Sequence, residues 1–571
     1  MSILDWIVLL ATLVFITGYG MYKTRGKKSL DTYLKGNSGN WWTIGLSIMA
    51  TQASAITFLS TPGQAYEDGM RFIQFYFGLP LAMILISIFF IPIYYKLKVY
   101  TAYEYLETRF DLKTRTLTAI LFIVQRGLAA GITIYAPAII LSTLLGWNLT
   151  FTNIFIGILV ILYTVSGGTD AVSITQKQQM AVMMGGMILA GAFVIYLLPI
   201  SMKEALHVAG KMEKLNLVNF EFDLADRYSF WSGMTAAVFL FLSYFGTDQS
   251  QVQRYLSGQT LTQSRMGLMM NGFLKIPMQF LILFIGVLVF VFYQFIPSPI
   301  HFNQVQTESL RQSKFGPELE KLEERYQENF EKARITYTHL MKVENLENEA
   351  SALPLTRQLK EIQSQQQVLR EEVKSLILTH DSSAETRDTD YVFMRFVMDY
   401  LPTGIIGLLF AVIFTAAMSS SSSELNALGS TTTIDLYKRS FRKEAPDSHY
   451  VLSSKAFTAF WGLGAILFAT YASLFENLIQ AVNLLGSLFY GSILGIFCVA
   501  FFLKWIKGNA VFMAAILSQG LILFIHFFNG KGVMGFAWDI GFLWYNAIGC
   551  LSVMAFGIIC QAVLRVTGFK A

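Results

Sequence analysis

Thirteen mostly apolar stretches follow one another along this chain, at about 3–22, 43–65, 73–96, 117–145, 151–166, 180–200, 231–252, 267–296, 394–422, 450–471, 476–503, 509–528 and 541–565. Roughly 20 such residues carry a helix across a bilayer. In lipid the backbone must satisfy its own hydrogen bonds, which leaves only helices and closed barrels. Stretches of this length select helices, so the chain reads as an all-α polytopic membrane protein. Its composition agrees: 14% of residues are charged, against about 25% in soluble domains. The basic residues sit in short loops beside the spans, so the net charge of +5 gives no reason to expect nucleic acid. Cys498, Cys550 and Cys560 fall in apolar stretches and read as small buried hydrophobes. The six histidines form no metal spacing, and no catalytic constellation marks an enzyme. The run at 3–22 has no basic segment before it and carries Asp5, so it reads as a retained span and not a signal peptide.

Lysine and arginine mark the cytoplasmic loops. Lys23, Arg25, Lys27, Lys28 and Lys35 follow the first span. Lys96, Lys98, Arg109, Lys113 and Arg115 come two spans later, and Lys177, then Arg254 and Arg265, fall in further alternate loops. Lys438, Arg439, Arg442, Lys443, Lys504, Lys507, Arg565 and Lys570 complete the series. All lie on one side under a thirteen-span count. This puts the N-terminus outside the cell membrane and the C-terminus in the cytoplasm. Residues 302–390 break the pattern, being rich in Glu, Lys, Gln and Arg. Leu319, Leu322, Tyr326, Phe330, Ala333, Tyr337 and Leu340 recur at helical spacing, as do Leu355, Leu359, Ile362, Leu369, Val373 and Leu376. With Pro354 between the runs, the segment reads as an outer two-helix hairpin. It is either a solvated insertion or a surface that docks a partner.

Two spans carry polar residues at mid-depth. One has Thr51, Gln52, Ser54 and Thr57, then Pro62 and Gly63; the other has Gly246, Thr247, Asp248 and Gln249. An unwound helix in a membrane is tolerated where it lines a cavity, and its freed carbonyls can hold an ion or solute. These spans open two successive five-span units, about 43–200 and 231–503. An odd number of spans inverts the second unit relative to the first, as in inverted-repeat transporters. Residues 1–42 then form an extra span and basic loop, 201–230 an outer loop, and 504–571 two further spans. The hairpin separates 231–301 from 391–503.

The stretch 414–436 enters as an apolar helix, meets Ser419–Ser423, and continues through Asn426 and Ser430–Thr433. On a helix Ser419 and Ser423 share a face, as do Ala416 and Ser420. Hydroxyls and a carbonyl near one point suit a hard monovalent cation; a small-residue packing seam is the other reading. Asp248 lies at mid-depth, where a charge costs on the order of 3 kcal/mol. Lys275 could snorkel, Glu424 could face an inner vestibule, and Gln176–Gln179 could cap the sixth span.

The segments ASAITFLSTPGQAY (53–66), YTAYEYLETRF (100–110), YTVSGGTDAV (163–172), TDQSQVQRYLS (247–257), GFLKIPM (272–278) and ELNALGSTTTIDLY (424–437) resemble the sodium/solute symporter family. The resemblance covers the membrane portion and omits the hairpin. It implies a LeuT-like inverted five-helix repeat. It also implies a sodium ion held by the carbonyls of Ala50, Ala53 and Ala416 and the hydroxyls of Ser419 and Ser420. Solute is expected near Gln52, Thr57, Phe75, Tyr76, Ser243, Asp248 and Gln249. Positions resembling the sugar contacts of the family add Lys275 and Asn483. Many members have an aspartate where this chain has Gln176, which bears on a second sodium site; Lys177 is a candidate to fill that space. The expected function is sodium-driven uptake of a small organic solute, a monocarboxylate- or vitamin-like anion or a sugar. A transporter-like sensor and an ion channel are the alternatives.

Overall fold

The computed structural model describes the chain except residues 25–39, 345–348, 383, 385, 472–477, 532–538 and 568–571. Arg25, Lys27, Lys28, Lys35 and Lys570, which enter the orientation argument, lie outside the described residues. Ten described helices are long and apolar enough to cross a bilayer, and two shorter apolar ones, Leu149–Val165 and Ser232–Gly246, join them. The run Ala55–Leu97 holds parts of two predicted spans, linked by a 3-10 segment at Gly69–Tyr76. Each of the thirteen predicted spans is thus mostly helical over its described residues.

The first broken helix consists of Trp41–Gln52 and Ala55–Asp68. Its backbone leaves helical geometry at Ala53 (φ −80°, ψ 85°) and Ser54 (φ −83°, ψ 171°). The second consists of Ala237–Gly246 and Gln249–Leu256. Asp248 starts its latter half, accepting a hydrogen bond from the Ser250 amide at 2.9 Å. A carboxylate there also meets the positive end of the helix dipole. Both breaks fall where polar side chains interrupt the apolar pattern.

Three boundaries differ from expectation. Residues 149–197 form one hydrogen-bonded run that turns at Gly168 (φ 59°, ψ −165°), a conformation open mainly to glycine. Gln176 and Gln179 therefore lie inside a helix, fully buried, and do not cap it, whereas Lys177 is exposed. The predicted span 394–422 is two helices, Val392–Tyr400 and Ile405–Thr431, separated by Pro402 and by Gly404 at φ 88°. This shift sets Ser419–Ser423 inside a continuous helix and not at its end. The third concerns Pro354, which lies inside the helix Glu349–His380. The two helices end at Glu344 and begin at Glu349, and residues 345–348 between them lie outside the described residues.

The first helix, Ile3–Thr24, packs against this serine helix. Asp5, fully buried, accepts hydrogen bonds from the Gly404 and Gly407 amides at 2.6 and 3.1 Å. It thereby satisfies donors that a helix start leaves orphaned. Asp5→Ala is expected to destabilise the protein by roughly 1–2 kcal/mol, measured as a lower thermal midpoint in detergent; an unchanged midpoint refutes the capping role.

The hairpin helices, Gly316–Glu344 and Glu349–His380, close on the predicted seam, with Leu319, Leu322 and Tyr326 packed with Leu369 and Val373. Tyr337, Leu340, Leu359 and Ile362 continue that seam into the main core. At the opposite end of the bundle Arg115 joins Asp435, beyond the serine helix, to Glu107, at 2.7 Å each.

Candidate functional site

The first broken helix lies against the serine helix. Ser419 Oγ donates to the Ala50 carbonyl at 2.8 Å, and the Thr51 and Ser423 hydroxyls are 3.2 Å apart. Within the serine helix, Ser420 Oγ donates to the Ala416 carbonyl at 3.0 Å. Ala53 sits at the break, fully buried. Among the five expected cation-holding residues, Ala50 and Ser419 are thus in contact, Ala416 and Ser420 are in contact, and Ala53 lies one turn beyond Ala50. Their donors are neutral hard oxygens. Such a set suits a monovalent cation, whereas calcium and magnesium draw carboxylates.

Gln176 completes this contact. Its amide nitrogen lies within donating distance of the Thr51, Ser419 and Ser423 hydroxyls, at 2.9, 3.2 and 3.0 Å, which share its two hydrogens, and its oxygen accepts from Ser47. The space assigned to Lys177 is therefore filled by the Gln176 side chain, because the helix continues through this point and turns Lys177 outward.

A cavity of about 100 Å³ opens beside the break. Of the expected solute residues, Gln52, Thr57, Phe75, Tyr76 and Asn483 line it. The other four do not. Ser243 donates to the Tyr490 carbonyl at 2.8 Å. Gln249 turns to the 100–103 segment, bonding Ala102 N and Tyr100 O at 3.1 and 2.9 Å. Lys275 is fully buried behind Tyr76, its Nζ 5.6 Å from that ring's centre. Asp248 reaches the cavity through another residue, Arg126.

Arg126 was not anticipated as a site residue. It lies about midway along Leu112–Leu145, lines the cavity, and is 2% exposed. Its guanidinium pairs with Asp248, donates to Glu424 at 3.0 Å and to the Tyr490 hydroxyl at 2.6 Å, and faces the Tyr244 ring at 5.4 Å. Its Nε is buried with no partner among the described residues. Glu424 lines this cavity and not an inner vestibule, because the unbroken helix stacks it one turn from Ser420, which lines it too. One signal for Arg126 was available: a mid-depth aspartate calls for a cation, and Arg126 is a mid-span arginine.

Comparison with known proteins puts this geometry in context. The human "Sodium/iodide cotransporter" is 32% identical over 295 residues, 51% of this chain and 45% of that protein. "Sodium-coupled monocarboxylate transporter 1" of Xenopus laevis is 32% identical over 278 residues, 47% of this chain and 44% of that protein. The chain thus matches less than half the length of these relatives. "Sodium/sialic acid symporter SiaT" of Proteus mirabilis (strain HI4320) is 24% identical over 565 residues, 97% of this chain and 94% of that protein. A solved substrate-bound, outward-open structure of a Na+-coupled sialic acid symporter superposes with a TM-score of 0.73, at 23% identity and 98% coverage of both chains. The fold is therefore that of the LeuT-like transporters. The "Sodium:solute symporter family" matches residues 32–308 and 376–518, which include both broken helices, Arg126 and the serine helix and leave out most of the hairpin. This chain belongs to the sodium:solute symporter family.

Proposed function

We propose that this chain couples inward sodium flow to uptake of a small organic anion bearing a carboxylate, by alternating access. The observation that carries the solute class is Arg126, a guanidinium held in the wall of the central cavity. Its Nε, without a partner among the described residues, leaves one edge of the planar guanidinium to offer a carboxylate. The solutes named for the relatives, iodide, monocarboxylate and sialic acid, share a negative charge. A neutral sugar gains less from this wall.

Sodium is assigned to the oxygens of Ala50, Ala53, Ala416, Ser419 and Ser420. Ser420 and Glu424 share a helix face one turn apart. A cation at Ser420 attracts the Glu424 carboxylate and weakens its hold on Arg126. The edge of the guanidinium that Glu424 releases then takes the solute carboxylate, while Asp248 and Tyr490 keep the other nitrogen. Sodium thereby raises solute affinity, and coupling is that difference in affinity. The units 43–200 and 231–503 rock about this cavity, with the hairpin side outside and the C-terminus in the cytoplasm.

Protein reconstituted in liposomes should take up labelled sialic acid or a short monocarboxylate saturably, only with an inward sodium gradient. Equal uptake without the gradient, or preference for a neutral sugar, refutes the reading. Glu424→Gln tests the coupling step. Losing that carboxylate is expected to lower the sodium dependence of solute binding about tenfold, roughly 1.4 kcal/mol. An unaltered sodium dependence removes Glu424 from the mechanism.

A further inference from the structure

The family match stops at 308 and resumes at 376, leaving out most of the hairpin. Beneath the hairpin lies a second cavity, of about 180 Å³. Its roof is one face of Glu349–His380, where Gln363, Gln367, Arg370 and Lys374 recur at helical spacing. Its floor is aromatic: Tyr66 and Tyr293 meet edge to face with centroids 6.2 Å apart. Tyr293 is 2% exposed, and its hydroxyl has no partner among the described residues.

The cations here have different tasks. Arg370 is engaged, donating to the Pro299 carbonyl and the Tyr326 hydroxyl at 3.2 and 3.3 Å and lying 3.7 Å from Asp388. It stiffens the roof. Lys374 is paired with Glu371, whose side chain is 57% exposed, and such pairs hold little energy. Lys214 enters from the side, 4.6 Å from the Phe290 ring centre; its ammonium donates to the Glu67 carbonyl and keeps two further N–H donors.

We propose that this cavity is an extracellular binding site for a hydroxylated carboxylate, that is, an acidic sugar. Lys374 and Lys214 attract its carboxylate. The Tyr293 hydroxyl and the amide oxygens of Gln363 and Gln367, whose nitrogens already donate to Tyr337 and Glu371 at 3.1 and 3.0 Å, bond its hydroxyls, and the tyrosine rings cover its apolar face. The site also has a mechanical connection. Thr389 donates to the Glu67 carboxylate at 2.8 Å. Lys360 pairs with Glu213 at 2.6 Å, and the carbonyl of the next residue, Lys214, accepts from the Met70 amide at 2.9 Å. The Thr389–Glu67 bond therefore joins the end of the insertion to the outer end of the first broken helix, and the exposed Lys360–Glu213 pair adds little to it. A bound ligand braces the hairpin against that helix, which bears Ala50 and Ala53 on its inner half and at its break.

Amide hydrogen exchange of the full chain in nanodiscs, without sodium, tests the site. Sialic acid is the probe and its methyl ester the uncharged control. At about ten times Kd, linkage predicts about tenfold slower exchange across 360–376. The slowing is expected to persist in Arg126→Gln and to be lost in Lys374→Gln and in Gln367→Ala, with exchange elsewhere unaltered. No slowing at any concentration overturns the proposal. Slowing abolished by Arg126→Gln but kept in Lys374→Gln also overturns it, placing the ligand in the central cavity. Equal slowing by the methyl ester overturns the carboxylate assignment. Exchange reads binding without transport, so an absence of uptake would count against the central mechanism and not against this site.

Discussion

Arg126→Gln is expected to weaken binding of a carboxylate solute about a hundredfold, the loss of a charge-assisted hydrogen-bonded contact of roughly 3 kcal/mol, and to abolish sodium-driven uptake at ordinary concentrations. The substitution also leaves Asp248 and Glu424 without the cation that lies between them. Removing one partner of a buried pair costs about 3–5 kcal/mol, so instability could imitate lost binding. Two further variants separate these effects. Arg126→Lys keeps the charge and loses the planar fork, so it should fold and bind with intermediate affinity. Arg126→Gln combined with Asp248→Asn removes a charge of each sign and relieves the imbalance. If that double variant keeps its thermal midpoint and still fails to bind, the arginine acts on the solute. Unchanged affinity in a folded Arg126→Gln protein refutes the anion reading.

The spans were legible because each is a long apolar window, and the breaks because polar residues cluster at mid-depth in only a few of them. Arg126 was harder to see for a physical reason. Its carboxylate partners stand 122 and 298 positions away, on different helices. Along the sequence it is one mid-span charge in a helix of 34 residues, and nothing local says which partner it meets. The reverse error affected Gln249 and Lys275. Both lie near the expected depth, yet the direction in which a residue faces depends on helix rotation: Gln249–Tyr255 is buried on every side, so apolar periodicity does not fix it, and the exposed Phe273 and Leu274 turn Lys275 inward without specifying which neighbour it meets. The serine helix was misplaced by its start. Mostly apolar residues run from 392 to Leu401, interrupted by Arg395 and Asp399, and Pro402 and Gly404, the latter at φ 88°, mark the separation. Once that start is set, the i to i+4 stacking of Ser420 and Glu424 follows, and with it the proposed link between ion and solute.

That stacking gives the serines separable roles. Ser419 touches Ala50 and Gln176 and does not line the cavity, whereas Ser420 does. Ser419→Ala is expected to raise the sodium needed for half-maximal uptake by about tenfold to a hundredfold, as one hydroxyl ligand worth roughly 1.5–3 kcal/mol is lost. Solute affinity at saturating sodium should be unchanged. Ser420→Ala should shift both quantities, because it alters the ion's oxygens and the cavity wall together. Ser421 is the control: it is fully buried and its hydroxyl has no partner among the described residues, so Ser421→Ala should leave sodium activation as it was. A small-residue packing seam predicts another pattern. Serine and alanine pack alike, so the three variants would differ from the parent slightly in thermal midpoint and not at all in sodium dependence. Sodium titrations of uptake in liposomes distinguish the two, and a Ser419→Ala protein with the parent's sodium curve would leave the seam as the explanation of this helix.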